Sequence, residues 1–237
     1  MLERLPEATR GVDFLVLPEL WPVGAFNLAA IRDFELDADV LGALGQAAAE
    51  SGTWLHAGSL PLGPRDEQGR VFNTALLFDP AGGLAASYRK QHLFGFADGE
   101  RTVVAPGDEL VVVDTPLGPT GLATCYDLRF PELFRALLDR GAETFLITSG
   151  WPTARLNHWR VLMQARAIEN QALVVACNAR GRNGDIVLAG HSMVVGPRGE
   201  VLAEGSSDDE FVDAEVELAD IAQWRADFPV LADRRLK

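Results

Sequence analysis

The sequence predicts an α/β fold in which two packed β-sheets carry helices on their outer faces. Three observations point there. Short apolar runs of strand length are interspersed with longer stretches of helical period. Some neighbouring runs are joined by turn sequences, DPAGG (79–83) and GPRGE (196–200). At 237 residues, with no internal repeat, low-complexity segment or linker, the chain reads as a single domain over 1–237.

In chain order, strands are expected at VDFLVL (12–17), TWLHAGSL (53–60), NTALLF (73–78), LVVVDT (110–115), GLAT (121–124), ETFLIT (143–148), ALVVACN (172–178) and HSMVVG (191–196). These runs are rich in residues that suit a pleated, half-buried surface. Helices are expected over 38–51, 131–140, 154–170 and 218–226. Pro131 and Glu132 mark the start of the second, where proline fits the first turn and an acid meets the positive end of the dipole. In the third, Leu156, Trp159, Met163 and Ala167 fall on one face. The loops at 62–70 and 91–108 are the least regular, and the second is long enough that a functional role is expected.

Acids outnumber bases 34 to 21, a net charge of −13, which argues against nucleic acid or an anionic membrane as the main partner. A local arginine can still hold a small anion. Cys125 and Cys177 lie far apart without disulfide-framework spacing, and Cys177, ending ALVVAC, reads as a buried strand residue. The start MLERLPEATR carries no apolar signal segment, and no apolar run approaches the roughly 18 residues of a membrane span, so a cytoplasmic protein is expected. His56, His92, His158 and His191 form no HExxH, the cysteines form no CxxC, and no P-loop or dinucleotide glycine pattern occurs. No metal and no cofactor are expected. GHSMV departs from GxSxG, which weakens a serine-hydrolase reading around Ser192.

The chemistry gathers at the stretch GLATCYDLRFPELF (121–134). Cys125 sits in a strand-to-helix turn, where outward backbone N–H groups can lower a thiol pKa or hold an anion; a buried structural cysteine is the plainer alternative. Three more reactive side chains stand at strand ends or in an adjacent loop: Glu19 in FLVLPELW, Lys90 in SYRKQHLF and Glu100 in ADGERTVVAPGDEL. Taken singly, each reads as a solvated charge. Taken together, they supply what a cysteine nucleophile needs without histidine, namely a carboxylate base and an ammonium for an oxyanion.

LPEL, YRKQHLF and TCYDLRFPE, in this order and at these separations, resemble the three signature regions of the nitrilase superfamily of carbon–nitrogen hydrolases. HWRVLMQARAIENQ, GHSMVVGPRGEVLA and FPVLADRR resemble later family segments, so the resemblance spans nearly the whole chain. In detail the chain is most similar to the small amidases acting on ω-amides of dicarboxylates or on deaminated glutathione. The resemblance implies an α-β-β-α sandwich of two mixed sheets. The family normally opens with a strand before its first helix, whereas this chain begins near that helix, so the N-terminal strand is expected to be missing.

By resemblance, Glu19 is the general base, Lys90 the oxyanion partner and Cys125 the nucleophile. Glu100, seven residues before Gly107 of a Pro–Gly turn, stands where these amidases carry a second acid. The N–H of Tyr126 would share the oxyanion with Lys90. Arg129 reads either as a structural ion pair with Asp127 or Glu132, or as a two-pronged clamp on a substrate carboxylate; related carbamoyl-amino-acid hydrolases carry arginine at this offset. Trp151 in SGWPTA reads as pocket wall or plain core. The family also implies a homodimer through the helices near 131–140 and 154–170. The expected activity is release of ammonia from a small carboxylate-bearing amide such as 2-oxoglutaramate, or from deaminated glutathione, through a cysteine thioester. The rivals are a nitrilase or N-carbamoyl-amino-acid hydrolase on the same scaffold, and a non-catalytic binding member.

Overall fold

Strand alternation sorts the apolar residues of this protein into stacked layers of core. A computed structural model describes residues 2–209 and 211–236. One sheet holds β1 (Phe14–Val16), β2 (Trp54–Leu62), β3 (Val71–Phe78) and β4 (Leu84–Arg89) in that spatial order, with β5 (Val104–Ala105) paired to β3. The second is built from β6 (Val112–Thr115), β7 (Gly118–Thr124), β8 (Thr144–Ser149) and β9 (Leu173–Asn178). After a separate hairpin, β10 (Arg180–Asn183) and β11 (Ile186–Ala189), it is completed by β12 (Met193–Val195) and β13 (Val201–Glu204). Its spatial order is β13-β12-β9-β8-β7-β6. Both sheets mix parallel and antiparallel pairs: β1 runs parallel to β2, and β7, β8 and β9 run parallel to one another.

Along β8, Phe145 and Ile147 join a core cluster with Leu133, Phe134, Leu137, Trp159 and Met163, while Leu146 points the other way, to Ala75 and Tyr88 of the facing sheet. The period of two thus feeds one core under the helices and another between the sheets. The helices α1 (Leu5–Ala8), α2 (Leu28–Arg32) and α3 (Ala38–Ser51) come early in the chain, and Leu5, Leu44 and Ala48 pack with Leu55, Ala57, Leu76 and Phe78 of the first sheet. Helices α4 (Pro131–Asp139) and α5 (Leu156–Asn170) cover the second sheet, and α6 (Ala219–Asp227) follows β13 in the chain. The order of layers is therefore α-β-β-α. Trp159, Met163 and Ala167 of α5 are fully buried with Leu156 packed beside them, the face that helical spacing picked out.

Helix 38–51 matches its sequence expectation residue for residue, whereas the hairpin β10–β11 had no counterpart in the sequence reading. RGRN contains no apolar residue, so only its backbone ladder to β11 makes it a strand. Among the described residues, β1 is an edge strand paired only with β2. A cavity of about 570 Å³ is lined by Leu15 and Val16 of this strand and by Phe211 and Val212. No helix among the described residues is long and apolar enough to cross a membrane.

One buried group carries a pH signature. His56 on β2 is fully buried, and neither ring nitrogen has a hydrogen-bond partner among the described residues. Burial disfavours the imidazolium and pushes its pKa down to about 4. As pH falls below the ordinary histidine value, the unfolded chain takes up a proton that the folded protein refuses until about pH 4. Stability should therefore drop between pH 6.5 and 4, by up to roughly 3 kcal/mol from this residue, and no further below that. Urea denaturation at pH 7 and pH 5 checks this against His56→Leu, which should show a shallower loss. Equal slopes for the two proteins would remove the assignment.

Candidate active site

Parallel strands deliver their C-terminal ends to one place, and the reactive side chains of this protein leave from those ends. β1 runs into Pro18 and Glu19, β7 into Cys125, and β8 into Gly150 and Trp151. The two sheets are stitched there. The Thr148 hydroxyl donates to the Leu17 carbonyl at 2.8 Å, and Glu19 N donates to the Ser149 carbonyl at 3.4 Å. A bulge in β2 makes room for the turn, because Gly58 has φ +64° and a Cβ there would lie 2.1 Å from the Pro18 oxygen. Ser59 then accepts from Leu20 N at 3.0 Å, holding Leu20 at φ +45° directly after Glu19.

Glu19 is 2% exposed, Lys90 1% and Glu100 3%, so none is the solvated charge each resembles alone. Lys90 Nζ donates to Glu19 Oε1 at 2.7 Å and to the two Glu100 oxygens at 2.9 and 2.8 Å. Asn73 Nδ2 donates to Glu19 Oε1 at 2.9 Å, and Gly150 N donates to Glu19 Oε2 at 2.9 Å. A Cβ at Gly150 would lie 2.8 Å from that of Ala25, so glycine lets the backbone approach the carboxylate. Phe94 N donates to Glu100 Oε2, which ties the irregular loop after Lys90 to the same cluster. Burial works against charge on Lys90, yet the carboxylates of Glu100 and Glu19 outweigh it and hold the ammonium well above its usual pKa. Burial and the Glu19 charge raise the Glu100 pKa, against the pull of Lys90.

Cys125 opens a 3-10 turn over Cys125–Arg129 at φ +47°, a left-handed conformation that costs a non-glycine residue about 1–3 kcal/mol. Asp127 holds it. Its buried carboxylate accepts from Thr124 N at 2.9 Å, Tyr88 Oη at 2.7 Å and His92 N at 2.9 Å, and its Oδ1 lies 2.7 Å from His92 Nδ1. The strand and loop on either side of Lys90 are thereby pinned to the cysteine turn. From α5, Arg166 donates to the Leu128 carbonyl at 2.7 and 3.1 Å and fixes the far end. Burial and the Glu19 charge push the Cys125 thiol up, so the resting side chain is protonated and needs a base to become a nucleophile.

Glu19, Lys90, Glu100 and Cys125 line one pocket of about 350 Å³ including its open mouth. Tyr126, Arg129 and Trp151 line it too. Arg129 pairs with neither Asp127 nor Glu132; its guanidinium lies 4.6 Å over the Trp151 ring, with His158 Nδ1 at 3.4 Å. Trp151 is both wall and core, 2% exposed and packed at 5.6 Å against Trp159. Sequence reasoning passed over Asn73, Gly150, Phe26, Phe94 and Arg155. Asn73 left one trace, as an amide inside the apolar run VFNTALLF.

A sequence model described as carbon-nitrogen hydrolase matches residues 2–226. The chain is 40% identical over 244 residues to the 2-oxoglutaramate amidase of Paenarthrobacter nicotinovorans, covering 99% of this chain and 83% of that protein. It is 38% identical over 247 residues to the deaminated glutathione amidase of Rattus norvegicus, covering 98% and 76%. Among solved structures, a mutant of the amidase from Nesterenkonia sp. AN1, with acrylamide added to its active-site cysteine, is similar with a TM-score of 0.81 at 28% identity. That likeness covers 98% of this chain and 91% of the other. The sandwich of mixed sheets and the near full-length matches have one meaning: the chain belongs to the carbon–nitrogen hydrolase family of the nitrilase superfamily.

Proposed function

We propose that this protein is an ω-amidase, hydrolysing the terminal amide of a small dicarboxylate monoamide of the 2-oxoglutaramate type and releasing ammonia. One observation carries the reading. A buried Glu19–Lys90–Glu100 cluster shares a narrow pocket with the Cys125 thiol, and Arg129 faces that pocket without an acidic partner among the described residues. The names of the similar proteins support it.

The steps follow from the groups. Glu19 takes the thiol proton, and the thiolate attacks the amide carbonyl. Protonation of Glu19 weakens its hold on Lys90, so an ammonium N–H turns to the developing oxyanion, with the N–H of Tyr126 as second donor. Collapse breaks the C–N bond, Glu19 returns its proton to the leaving nitrogen, and ammonia departs from a thioester on Cys125. Water then attacks the thioester and gives its proton to Glu19. The second tetrahedral adduct collapses on the same two donors and expels the sulfur, which takes the proton back from Glu19 to restore the thiol, and the carboxylic acid product leaves as its carboxylate. Glu100 holds Lys90 in place throughout. The exposed Val161 and Ile168 of α5 support a homodimer through that helix and α4.

Ammonia release across 2-oxoglutaramate, 2-oxosuccinamate, deaminated glutathione and carbamoyl amino acids tests the substrate class. Carbon dioxide from a carbamoyl substrate, or two waters consumed on a nitrile, would point to the rival chemistries. Arg129→Lys keeps the charge and loses the two-pronged geometry. It should raise KM for 2-oxoglutaramate by roughly 10-fold or more while a neutral amide of similar length is affected far less. Equal losses on the two amides, with a lowered melting temperature, would make Arg129 a structural residue.

A further inference from the structure

Two guanidinium groups stand at the mouth of the pocket with no carboxylate to hold them. Arg129 and Arg155 both line it, and neither forms an ion pair among the described residues. Arg129 lies over Trp151 at 4.6 Å and Tyr126 at 5.8 Å, and Arg155 lies over Phe94 at 5.5 Å. Phe94 and Tyr126 meet edge to face at 5.3 Å, so one continuous aromatic wall carries both cations. Arg155 ends the 3-10 turn Thr153–Arg155 before α5, and its carbonyl accepts from Trp151 Nε1 at 2.8 Å, which seats its backbone against the pocket wall. The pocket's two acids are both bound to Lys90. Its lining therefore holds more positive than negative charge, in a chain of net charge −13. Burial, together with the charge of Arg155, depresses the Arg129 guanidinium, a repulsion that an anion between the two would relieve.

We propose that Arg155 is the second arm of the carboxylate receptor: with Arg129 it grips the anionic end of the substrate and makes the site select amides of 2-oxo acids over amides of α-amino acids. This rests on the ω-amidase reading. A 2-oxo carboxylate presents only acceptor oxygens, and guanidinium groups present only donors. An α-ammonium in the same place brings a like charge and N–H donors. Beyond the Lys90 cluster, the lining offers no carboxylate or amide side chain to receive them.

Steady-state kinetics of the whole protein with 2-oxoglutaramate, glutamine and pentanamide test this, for wild type, Arg155→Gln and Arg155→Lys. Arg155→Gln should raise KM for 2-oxoglutaramate roughly 10- to 100-fold with a much smaller change in kcat, the loss expected for one charge-assisted contact. On pentanamide it should lose at most a few-fold in kcat/KM, and the preference for 2-oxoglutaramate over glutamine should narrow at least roughly 10-fold. Arg155→Lys should fall between. Glutarate, used as a competitive inhibitor, should weaken by a similar factor, a readout that needs no turnover of the anion. Equal losses on 2-oxoglutaramate and pentanamide would overturn the proposal, as would undiminished discrimination against glutamine in a variant with the wild-type melting temperature. A wild type that hydrolyses pentanamide and not 2-oxoglutaramate overturns the ω-amidase reading and this proposal together. If the wild type prefers 2-oxoglutaramate and Arg155→Gln keeps its KM, Arg155 alone is removed from the receptor.

Discussion

Cys125→Ala should lower amide turnover by a factor of roughly 10⁴ or more, the scale on which hydrolases lose rate with their nucleophile. Folding should survive, because alanine keeps the β-carbon and Asp127 still clamps the turn through Thr124, Tyr88 and His92. The change in stability should stay within about 1 kcal/mol, as for a small loss of buried surface. Ammonia assays and thermal melts of the two proteins check both halves. A folded variant with normal turnover would end the mechanism. Alkylation adds a second reading of the same residue. Burial raises both thiols, so the difference lies in their neighbours: Cys125 shares its pocket with Glu19, a base for its proton, and with Lys90, whereas Cys177 has the Ser192 hydroxyl at 4.0 Å. Peptide mapping after brief iodoacetamide treatment should find Cys125 labelled first.

Lys90→Met should cost both stability and rate. With the ammonium gone, Glu19 and Glu100 are left in a buried site with no cation between them. Breaking one partner out of a buried charge cluster typically costs about 3–5 kcal/mol. Losing an oxyanion donor costs a further 2.7–4 kcal/mol or so in the barrier, about 10²–10³ in kcat. The two effects separate in the double variant Lys90→Met/Glu100→Gln. Removing one of the stranded charges should recover part of the stability and none of the activity. Urea denaturation at pH 7 gives the first quantity and ammonia release the second. A single variant as stable as wild type would show that the cluster is not held by charge. A double variant that regains activity would take Lys90 out of the chemistry.

The division between what was legible in the chain and what was not follows the range of the forces involved. Apolar period placed β8 and the buried face of α5, because alternation and helical spacing are local consequences of backbone geometry. Local signals likewise marked Pro131 as a helix start and Cys125 as the turn before it. The sequence by itself therefore determined the two-sheet layering and placed Glu19, Lys90 and Cys125 just beyond strand ends. It could not say that Lys90 bridges Glu19, 71 positions earlier, and Glu100, 10 positions later. It could not place Asn73 on the same carboxylate, 54 positions from it, because an amide inside an apolar strand carries no mark of its partner. Arg129 kept two readings in the sequence because Asp127 and Glu132 lie nearby in the chain. Folding turns Asp127 inward to Tyr88 and His92 and leaves the guanidinium over Trp151. Arg155 gave no sequence signal at all, since its meaning lies in a pocket assembled from four separate stretches of chain. Only the tertiary structure decided these pairings, because hydrogen bonds and charges act over a few ångströms in space, whatever the distance along the chain.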